Sequence, residues 1–178
     1  MSIDAILHRQ KVKMLPVDRS EYQQIVVRRK HLWEDALHRF QSGINFRKYI
    51  RVTFVGEPAV DDGGPLRDFF HRLMGAIATN NCLFHGEEDC RVPAPNVTAL
   101  EKRTYQYVGE MIAVSFIHGG PSPTFFAPSV VDYIVHGMNK VTATPKEVPY
   151  QHIKSKLKEV SQKFNAKCHF KPADDCIG

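Results

Sequence analysis

The sequence predicts an α+β fold that is mainly helical, with short strands. Several segments repeat apolar side chains at helical spacing, two short runs are rich in β-branched residues, and glycine, proline or asparagine separates these segments. The chain has 178 residues, of which 43% are hydrophobic and 24% charged. That length is enough for one domain with its own core, or for one domain and part of a second.

The first part of the chain predicts a strand followed by a helix. Residues 1–21 show no clear period and are predicted to form a linker or N-terminal arm. QIVVRR at residues 24–29 is β-branched and predicts a strand. The next segment predicts a helix that ends near Gly43, because its apolar residues share one stripe: Trp33, Ala36, Leu37 and Phe40.

A second strand and helix follow on either side of a glycine turn. YIRVTFV at residues 49–55 alternates and predicts a strand with Ile50, Val52 and Phe54 on one face. Pro65 suits the first helical position, where its missing N–H has no partner to lose. The predicted helix ends at Asn80-Asn81 and has these residues on its apolar side: Leu66, Phe69, Phe70, Leu73 and Ile77.

The middle of the chain predicts a loop and one long helix. CLF is consistent with a short strand, and HGEEDCRVPAPN after it predicts an acidic loop. Thr98 and Glu101 form a capping-box pattern that opens a helix over residues 98–117. Gly109 lies within this helix, where glycine costs up to about 1 kcal/mol relative to alanine. We expect the close approach of another helix at that point.

The last third predicts two more helices. PSVVDYIVHG predicts a short helix that ends at Gly137. Thr144 and Glu147 form a second capping-box pattern, but Pro149 follows, so the start of the final helix stays open between the two. That helix has lysines on its other sides and one apolar stripe: Ile153, Leu157, Val160 and Phe164.

Positive charge is concentrated at the front of the chain. Residues 1–51 hold 11 Lys and Arg against 5 Asp and Glu, whereas residues 52–178 hold 13 against 14. Such a front end suits nucleic acid, an acidic partner or a solvated helix face. Because no unbroken arginine block and no nucleic-acid reader motif is present, the solvated face is favoured and nucleic acid is not a predicted partner.

The chain is predicted to be intracellular, in the cytoplasm, the nucleus or both. No apolar run approaches the roughly 18 residues of a membrane span, so no membrane association is predicted. The N-terminal residues lack the apolar core and the small-residue cleavage site of a signal peptide. Disulfides are rare in intracellular proteins, so none is expected.

No cofactor or metal is predicted. The four cysteines are Cys82, Cys90, Cys168 and Cys176, and their seven-residue gaps differ from the usual spacing of a zinc site. A mixed site with His85 and His169 remains the alternative.

The paired Asp61-Asp62 in a glycine turn suggest three kinds of site. A phosphate-binding loop is excluded, because Pro65 follows Gly64 where a lysine is needed. Metal or acid–base chemistry is not favoured, because adjacent side chains seldom point at one centre. We therefore expect the aspartates to shape a corner and to cap the helix. Glu57 and Arg67 are expected to pair across it.

These same residues resemble a known family. VTFVGEPAVDDGGPLRDFF resembles a signature of the HECT-type ubiquitin ligases, in which a strand, a V-D-x-G-G turn and a helix opening with arginine and an acid follow one another. QIVVRRKHLWEDALHRF and YQYVGEMIAVSFIHGGPSPTFFAPSVVDYIVHG resemble two further blocks of that family's N-terminal lobe. The three blocks stand in the family's order over roughly residues 22–160. The Gly119-Gly120 pair and PSPTFFAPS favour one branch of the family.

The resemblance implies a division of the chain and a set of partners. Residues 22–144 would form the main part of the large subdomain of the N-terminal lobe, and residues 145–178 a helix and the truncated start of the next subdomain. The partners implied are a ubiquitin-conjugating enzyme and a catalytic C-terminal lobe, whose binding surfaces are expected to be largely missing here. In the family the thioester-forming cysteine follows a threonine, but none of the four cysteines does so here. No catalytic residue is therefore assigned.

Three functions remain open on the sequence. The first is the scaffold part of a HECT-type ligase, inactive by itself in ubiquitin transfer. The second is a catalytically inactive, HECT-derived module that binds another protein. The third is a basic domain that binds nucleic acid.

Overall fold

The fold begins with two parallel strands joined by a helix. Strand β1 (Tyr22–Val27) pairs in parallel with β2 (Tyr49–Phe54), so that Ile25 lies opposite Val52. Parallel strands cannot be joined by a tight turn, and helix α1 (Leu32–Gln41) forms the crossover between them. Both predicted strands are confirmed, although the first begins two residues earlier than the sequence suggested.

The computed structural model describes residue 9 and residues 11–15, 20–58 and 63–167, with the side chains of 164–167 left out. The chain divides into two units. One contains Met1–Phe84 and Pro93–Phe125, and the other contains His85–Val92 and Phe126–Gly178. The division at residues 22 and 145 that the family resemblance implies stays a prediction. Within the described part, no helix is long and apolar enough to cross a membrane.

Apolar faces from the strands and three helices form the core of the first unit. Helix α2 (Gly64–Ala78) packs on β2 and α1, and α1 packs on β1. The alternation of the strands holds, because Ile50, Val52 and Phe54 are buried while Arg51 and Val55 are exposed. The helices contribute these fully buried side chains, besides those of the strands: Phe40, Phe69, Phe70, Leu73, Ile77, Met111 and Val114.

The predicted stripes of α1 and α2 are confirmed in part. Ala36 and Phe40 are buried, but Leu32 takes the place expected for Trp33, which is half-buried. In α2 the stripe includes Met74, and Leu66 lies half-buried near the start of the helix. A 3-10 turn over Arg29–His31 precedes α1, and the buried residues Leu32, Ala36 and Phe40 follow one another at intervals of four.

The acidic loop expected after Phe84 is a β-hairpin instead. Strands β3 (Phe84–Glu87) and β4 (Cys90–Pro93) pair across the two-residue turn Glu88-Asp89. Gly86 has a φ of 114°, and a side chain there would meet the Cys90 carbonyl oxygen at 2.3 Å. Glycine is therefore required by the close approach of the two backbones.

The long helix expected over residues 98–117 is broken into two. Helix α3 (Val97–Glu101) is capped by the Asn96 side chain, which accepts a hydrogen bond from the Ala99 N–H at 3.0 Å. The predicted Thr98 cap is therefore wrong. The chain then turns at Arg103, whose φ of 55° is left-handed and incompatible with a continuous helix. Helix α4 (Thr104–Ile117) follows.

The break lets Tyr105 reach two backbone carbonyls at the base of the hairpin. Its hydroxyl lies 3.0 Å from the Leu83 oxygen and 2.6 Å from the Ala94 oxygen. Phe84 packs edge-on against the Tyr105 ring at 6.0 Å. Burial raises the pKa of Tyr105, so the hydroxyl stays a neutral donor.

The second unit contains two helices and an irregular connection. Helix α5 (Pro128–His136) ends at Gly137 as predicted. The predicted capping box forms between Thr144 and Glu147, but around a 3-10 turn. Helix α6 (Gln151–Lys167) begins only after Pro149, which resolves the alternative that the sequence left open.

Two glycines of the first unit differ in the space around them. A methyl group on Gly120 would lie 2.3 Å from the Ser115 hydroxyl oxygen and 2.9 Å from the Phe70 Cβ. Among the residues that the structure describes, nothing would lie within 4 Å of a methyl group on Gly109, in α4. The close approach expected at Gly109 is therefore wrong, and it occurs at Gly120 instead.

We predict that Gly120→Ala destabilises the protein by about 1–3 kcal/mol, because fully buried Phe70 and Ser115 would have to move. This corresponds to a fall of roughly 2–12 °C in the thermal midpoint for a chain of this size. Gly109→Ala is the matched control and should stabilise by about 0.5–1 kcal/mol, because alanine favours the helix. Equal effects of the two changes would contradict this packing.

His118 lies half-buried at the end of α4 with one nitrogen unpaired. Its Nδ1 is 2.9 Å from the Val114 carbonyl oxygen, and since a carbonyl only accepts, Nδ1 carries the proton. Within the described part of the chain, its Nε2 has no hydrogen-bond partner. The ring lies beside Phe70 and Tyr49. Burial in these surroundings lowers the pKa of His118.

We predict that His118 makes the protein less stable as the pH falls below about 6.5, its ordinary pKa. The unfolded chain binds this proton more readily than the folded one, so stability is complete above that pH and is lost towards the lower, folded-state pKa. Thermal unfolding between about pH 7.5 and 5.5 should show the loss. His118→Gln should flatten the profile, and an unchanged profile in this variant would contradict the role given to His118.

Candidate functional site

The turn between β2 and α2 carries the most distinctive residues of the sequence. Gly56 and Gly63 both have left-handed backbones, with φ of 85° and 71°. Gly63 is the N-cap of α2, so Pro65 lies in the first turn as the second helical residue, one position later than predicted. Asp61 and Asp62 lie outside the described residues, so the cap predicted for them stays a prediction.

Arg29 ties this corner together. It lies in the 3-10 turn after β1, and its Nη2 donates to Glu57 Oε2 at 2.8 Å while its Nε donates to the other oxygen. Its Nη1 donates to Asp68 at 2.5 Å, and Arg72 Nε donates to the same carboxylate at 2.8 Å. The guanidinium also stacks over the Phe54 ring at 3.9 Å. One cation thus joins the ends of β1 and β2 to α2.

The pairing expected between Glu57 and Arg67 is therefore wrong. Glu57 binds Arg29, because the parallel pairing of β1 and β2 brings the ends of both strands to the same edge. The sequence shows Arg28-Arg29 directly after a predicted strand. That position identifies the partner only once the strand order is known.

The charges of the corner are suited to holding structure. Hydrogen bonds from Arg29 hold the pKa of Glu57 and of Asp68 below their usual range, so both are acceptors at neutral pH. Neither carboxyl is poised to give or take a proton there. The neighbouring Asp35, bound by the Arg28 side chain and backbone, has a pKa lowered to about 2. Glu57 and Asp68 therefore serve as charged acceptors at this corner, whereas the corner-shaping role of Asp61-Asp62 stays a prediction.

Two thiols lie in the described residues. Cys82 is exposed and Cys90 is half-buried, and neither forms a disulfide. Burial raises the pKa of Cys90, and Glu147, Asp89 and Glu87 raise it further. Glu87 and Asp89 stand close to Cys90 in the sequence, whereas its burial, the larger cause, is visible only in the structure. Cys168 and Cys176 lie outside the described residues.

The described residues bring no three metal-ligating side chains of His, Cys, Asp or Glu together. His169 and the paired Asp61-Asp62 lie outside those residues. The predicted lack of a bound metal therefore stays a prediction.

Glu147 is the one buried acid among the described residues. Its Oε1 accepts from the Thr144 N–H and hydroxyl, and its Oε2 accepts from the Ser129 N–H at 3.0 Å. Burial alone would raise the pKa of Glu147, but these hydrogen bonds outweigh it and lower the pKa. The capping-box pattern revealed the bond to Thr144. The bond to Ser129 had no signal in the sequence.

Helix α5 exposes an apolar surface that the sequence did not reveal. No residue of this helix is buried. Four of its large apolar side chains are 43–64% exposed, and Met138 just after it is 75% exposed. The set is Val131, Tyr133, Ile134, Val135 and Met138. By their spacing, Val131, Ile134 and Val135 share one side of the helix, and an exposed apolar face of this kind usually marks a contact with another protein segment.

Comparison with known proteins identifies relatives of this chain. No protein-family model matches it. The G2/M phase-specific E3 ubiquitin-protein ligase of Gallus gallus is 33% identical over 137 residues, which are 74% of this chain and 18% of that protein. The ligase of the same name in Homo sapiens is 30% identical over 117 residues, or 64% of this chain and 16% of that protein. The probable E3 ubiquitin-protein ligase HERC4 of Homo sapiens is 41% identical over 99 residues, or 52% and 9%.

The chain thus matches less than a fifth of the length of each of these relatives. The branch of the family that Gly119-Gly120 and PSPTFFAPS favour is that of the G2/M phase-specific ligases, and this prediction is confirmed. Over part of its length, the chain is homologous to the HECT-type E3 ubiquitin-protein ligases.

Proposed function

We propose that this chain is the larger part of the N-terminal lobe of a HECT-type ubiquitin ligase and serves as its scaffold. The observation that carries the proposal is the likeness to the G2/M phase-specific ligases over 74% of the chain. The mainly helical α+β fold agrees with it. The corner that resembles the family signature is held by Arg29, Glu57 and Asp68, and none of the three is a nucleophile.

The chemistry of the parent protein would be transfer of ubiquitin through a thioester. A cysteine thiolate attacks the thioester of the conjugating enzyme, which releases that enzyme's thiol, and a lysine amine of the substrate then takes the ubiquitin. The complete N-terminal lobe would hold the conjugating enzyme and the lobe with the nucleophile within reach of each other. In this proposal both contacts are made largely by other parts of the parent protein.

The described thiols are poorly suited to that attack. Cys90 is half-buried with a raised pKa, so little thiolate forms near neutral pH. Cys82 is exposed, but it follows the end of α2 and its backbone N–H is bound by the Asn80 side chain at 3.1 Å. These features support a scaffold that does not accept ubiquitin itself.

The apolar surface of α5 also fits a part of a larger protein. Burying side chains such as Ile134 and Val135 against another segment would gain roughly 1.5–3 kcal/mol each. We propose that a further part of the ligase covers this surface.

A catalytically inactive module that binds another protein is the second candidate, and the same surface favours it. The two candidates differ in what the gene encodes. A lobe with a cysteine after a threonine, continuous with this chain, supports the ligase. A reading frame without one supports the module.

A nucleic-acid-binding domain receives less support. Several cations of the basic front end are engaged within the protein: Arg28 with Asp35, Arg29 with Glu57 and Asp68, and Lys48 with Glu21. Arg51 lies over the Tyr22 ring at 3.9 Å. These contacts agree with a solvated protein surface.

We predict that the chain forms no thioester with ubiquitin. Purified protein would be incubated with activating enzyme, a set of conjugating enzymes and ubiquitin, and then resolved with and without thiol reductant. No reductant-sensitive adduct is expected. An adduct that Cys168→Ala abolishes would show that this chain carries the nucleophile, and the scaffold proposal would then be wrong.

We predict that the α5 surface binds an apolar dye without contributing to the stability of the isolated chain. The double change Ile134→Ser and Val135→Ser should reduce the fluorescence of bound anilinonaphthalene sulfonate, because it removes exposed apolar area. The thermal midpoint should hardly change. The matched control Val108→Ser, in the core, should lower the midpoint by several degrees. A large loss of stability in the double variant would contradict an uncovered surface.

A further inference from the structure

We infer that α6 is a docking surface for an acidic amphipathic helix of another protein. The inference is independent of ubiquitin transfer. It rests on the spacing of the exposed apolar residues of α6 and on the charges beside them.

The apolar residues of α6 form a narrow seam. Ile153, Leu157 and Val160 follow one another at intervals of four and three residues and are 39%, 38% and 51% exposed. Phe164 continues the spacing in the sequence. Alternating intervals of four and three are those of the a and d positions of a heptad, which face a partner helix in a coiled coil. The seam, defined here as Ile153, Leu157 and Val160, has the spacing that one helix needs to pack along another.

The positions beside the seam are polar and mainly basic. With the seam at a and d, Lys156 and Lys163 occupy the g positions, and Lys154 and Ser161 occupy the e positions. Lys156 and Lys163 are exposed. The whole helix holds five lysines and one glutamate. Side chains at e and g pair across a helix interface, so these lysines select a partner that carries acids at its own flanks.

The residues beside the seam also argue against two other binding partners, a second copy of α6 and a membrane surface. A second copy of α6 supplies no acid at these positions: an antiparallel copy would place Lys156 against Lys163, and a parallel copy would place Lys156 beside Ser161. A helix that lies on a membrane needs a broad apolar face. Here polar residues stand directly beside the seam on both sides, so the apolar stripe is too narrow for that role.

The start of α6 is fixed to the hairpin within the second unit. Lys154 Nζ donates to Glu87 at 3.0 Å, and the Lys154 side chain is only 14% exposed. The Tyr150 hydroxyl lies 3.1 Å from His85 Nδ1. With Lys154 engaged, Lys156 and Lys163 are the exposed basic flank. A partner helix would therefore lie beside Lys156 and Lys163, on a helix whose first turn is already held in place.

The test uses the complete 178-residue protein and two designed peptides of about three heptads each. Both peptides carry leucine at a and d. One carries glutamate at e and g, and the other carries lysine there. We expect the glutamate peptide to bind about tenfold or more tightly than the lysine peptide, as measured by fluorescence anisotropy.

Three variants assign the binding to α6. The double change Lys156→Glu and Lys163→Glu should reverse the preference between the peptides, and Leu157→Asp should abolish binding of both. Lys102→Glu, the same charge change in the other unit, should leave the preference intact. All three replace exposed residues, and circular dichroism would verify their folding. Equal binding of the two peptides, or binding by neither at about millimolar concentration, would overturn the proposal. Binding to phosphatidylserine vesicles without a preference between the peptides would overturn it in favour of a membrane.

Discussion

The parallel pairing of β1 with β2 is the constraint on which the first unit depends. Parallel strands require a crossover, so α1 must lie against the sheet, and Phe40 enters the core with Ile25 and Val52. The same pairing places the end of β1 beside the end of β2, where Arg29 meets Glu57 and Asp68. The parallel direction of the two strands thus determines both the charged corner and the packing of the core.

The charged corner organises the backbone more than it stabilises it. The side chains of Arg29, Glu57 and Asp68 are 37%, 41% and 34% exposed, and ion pairs this accessible to water add little free energy individually. These ion pairs fix geometry instead, because a planar guanidinium can donate to two carboxylates only in certain arrangements. Arg29 thus positions the ends of two strands against a helix.

The sequence predicted the elements whose side chains follow a period set by the core. The strand with Ile50, Val52 and Phe54 is such a case. It did not predict the β3–β4 hairpin, because HGEEDCRVP does not alternate and its pairing depends on backbone approach at Gly86. The break between α3 and α4 at Arg103 could not be predicted from the sequence, since arginine rarely adopts a left-handed backbone. The partner of Glu57 could not be predicted, because it lies 28 residues away in the sequence. The exposure of the apolar residues of α5 could not be predicted either, because their spacing is also that of a buried helix.

The buried carboxylate of Glu147 has a consequence for motion. It holds the first turn of α5 through Ser129 and the irregular connection through Thr144 at the same time. The two segments cannot open separately without leaving a buried charge unsolvated. Their backbone amides should therefore exchange with deuterated water together, in one cooperative event. A connection with little regular secondary structure would then show the slow exchange usually associated with a helix.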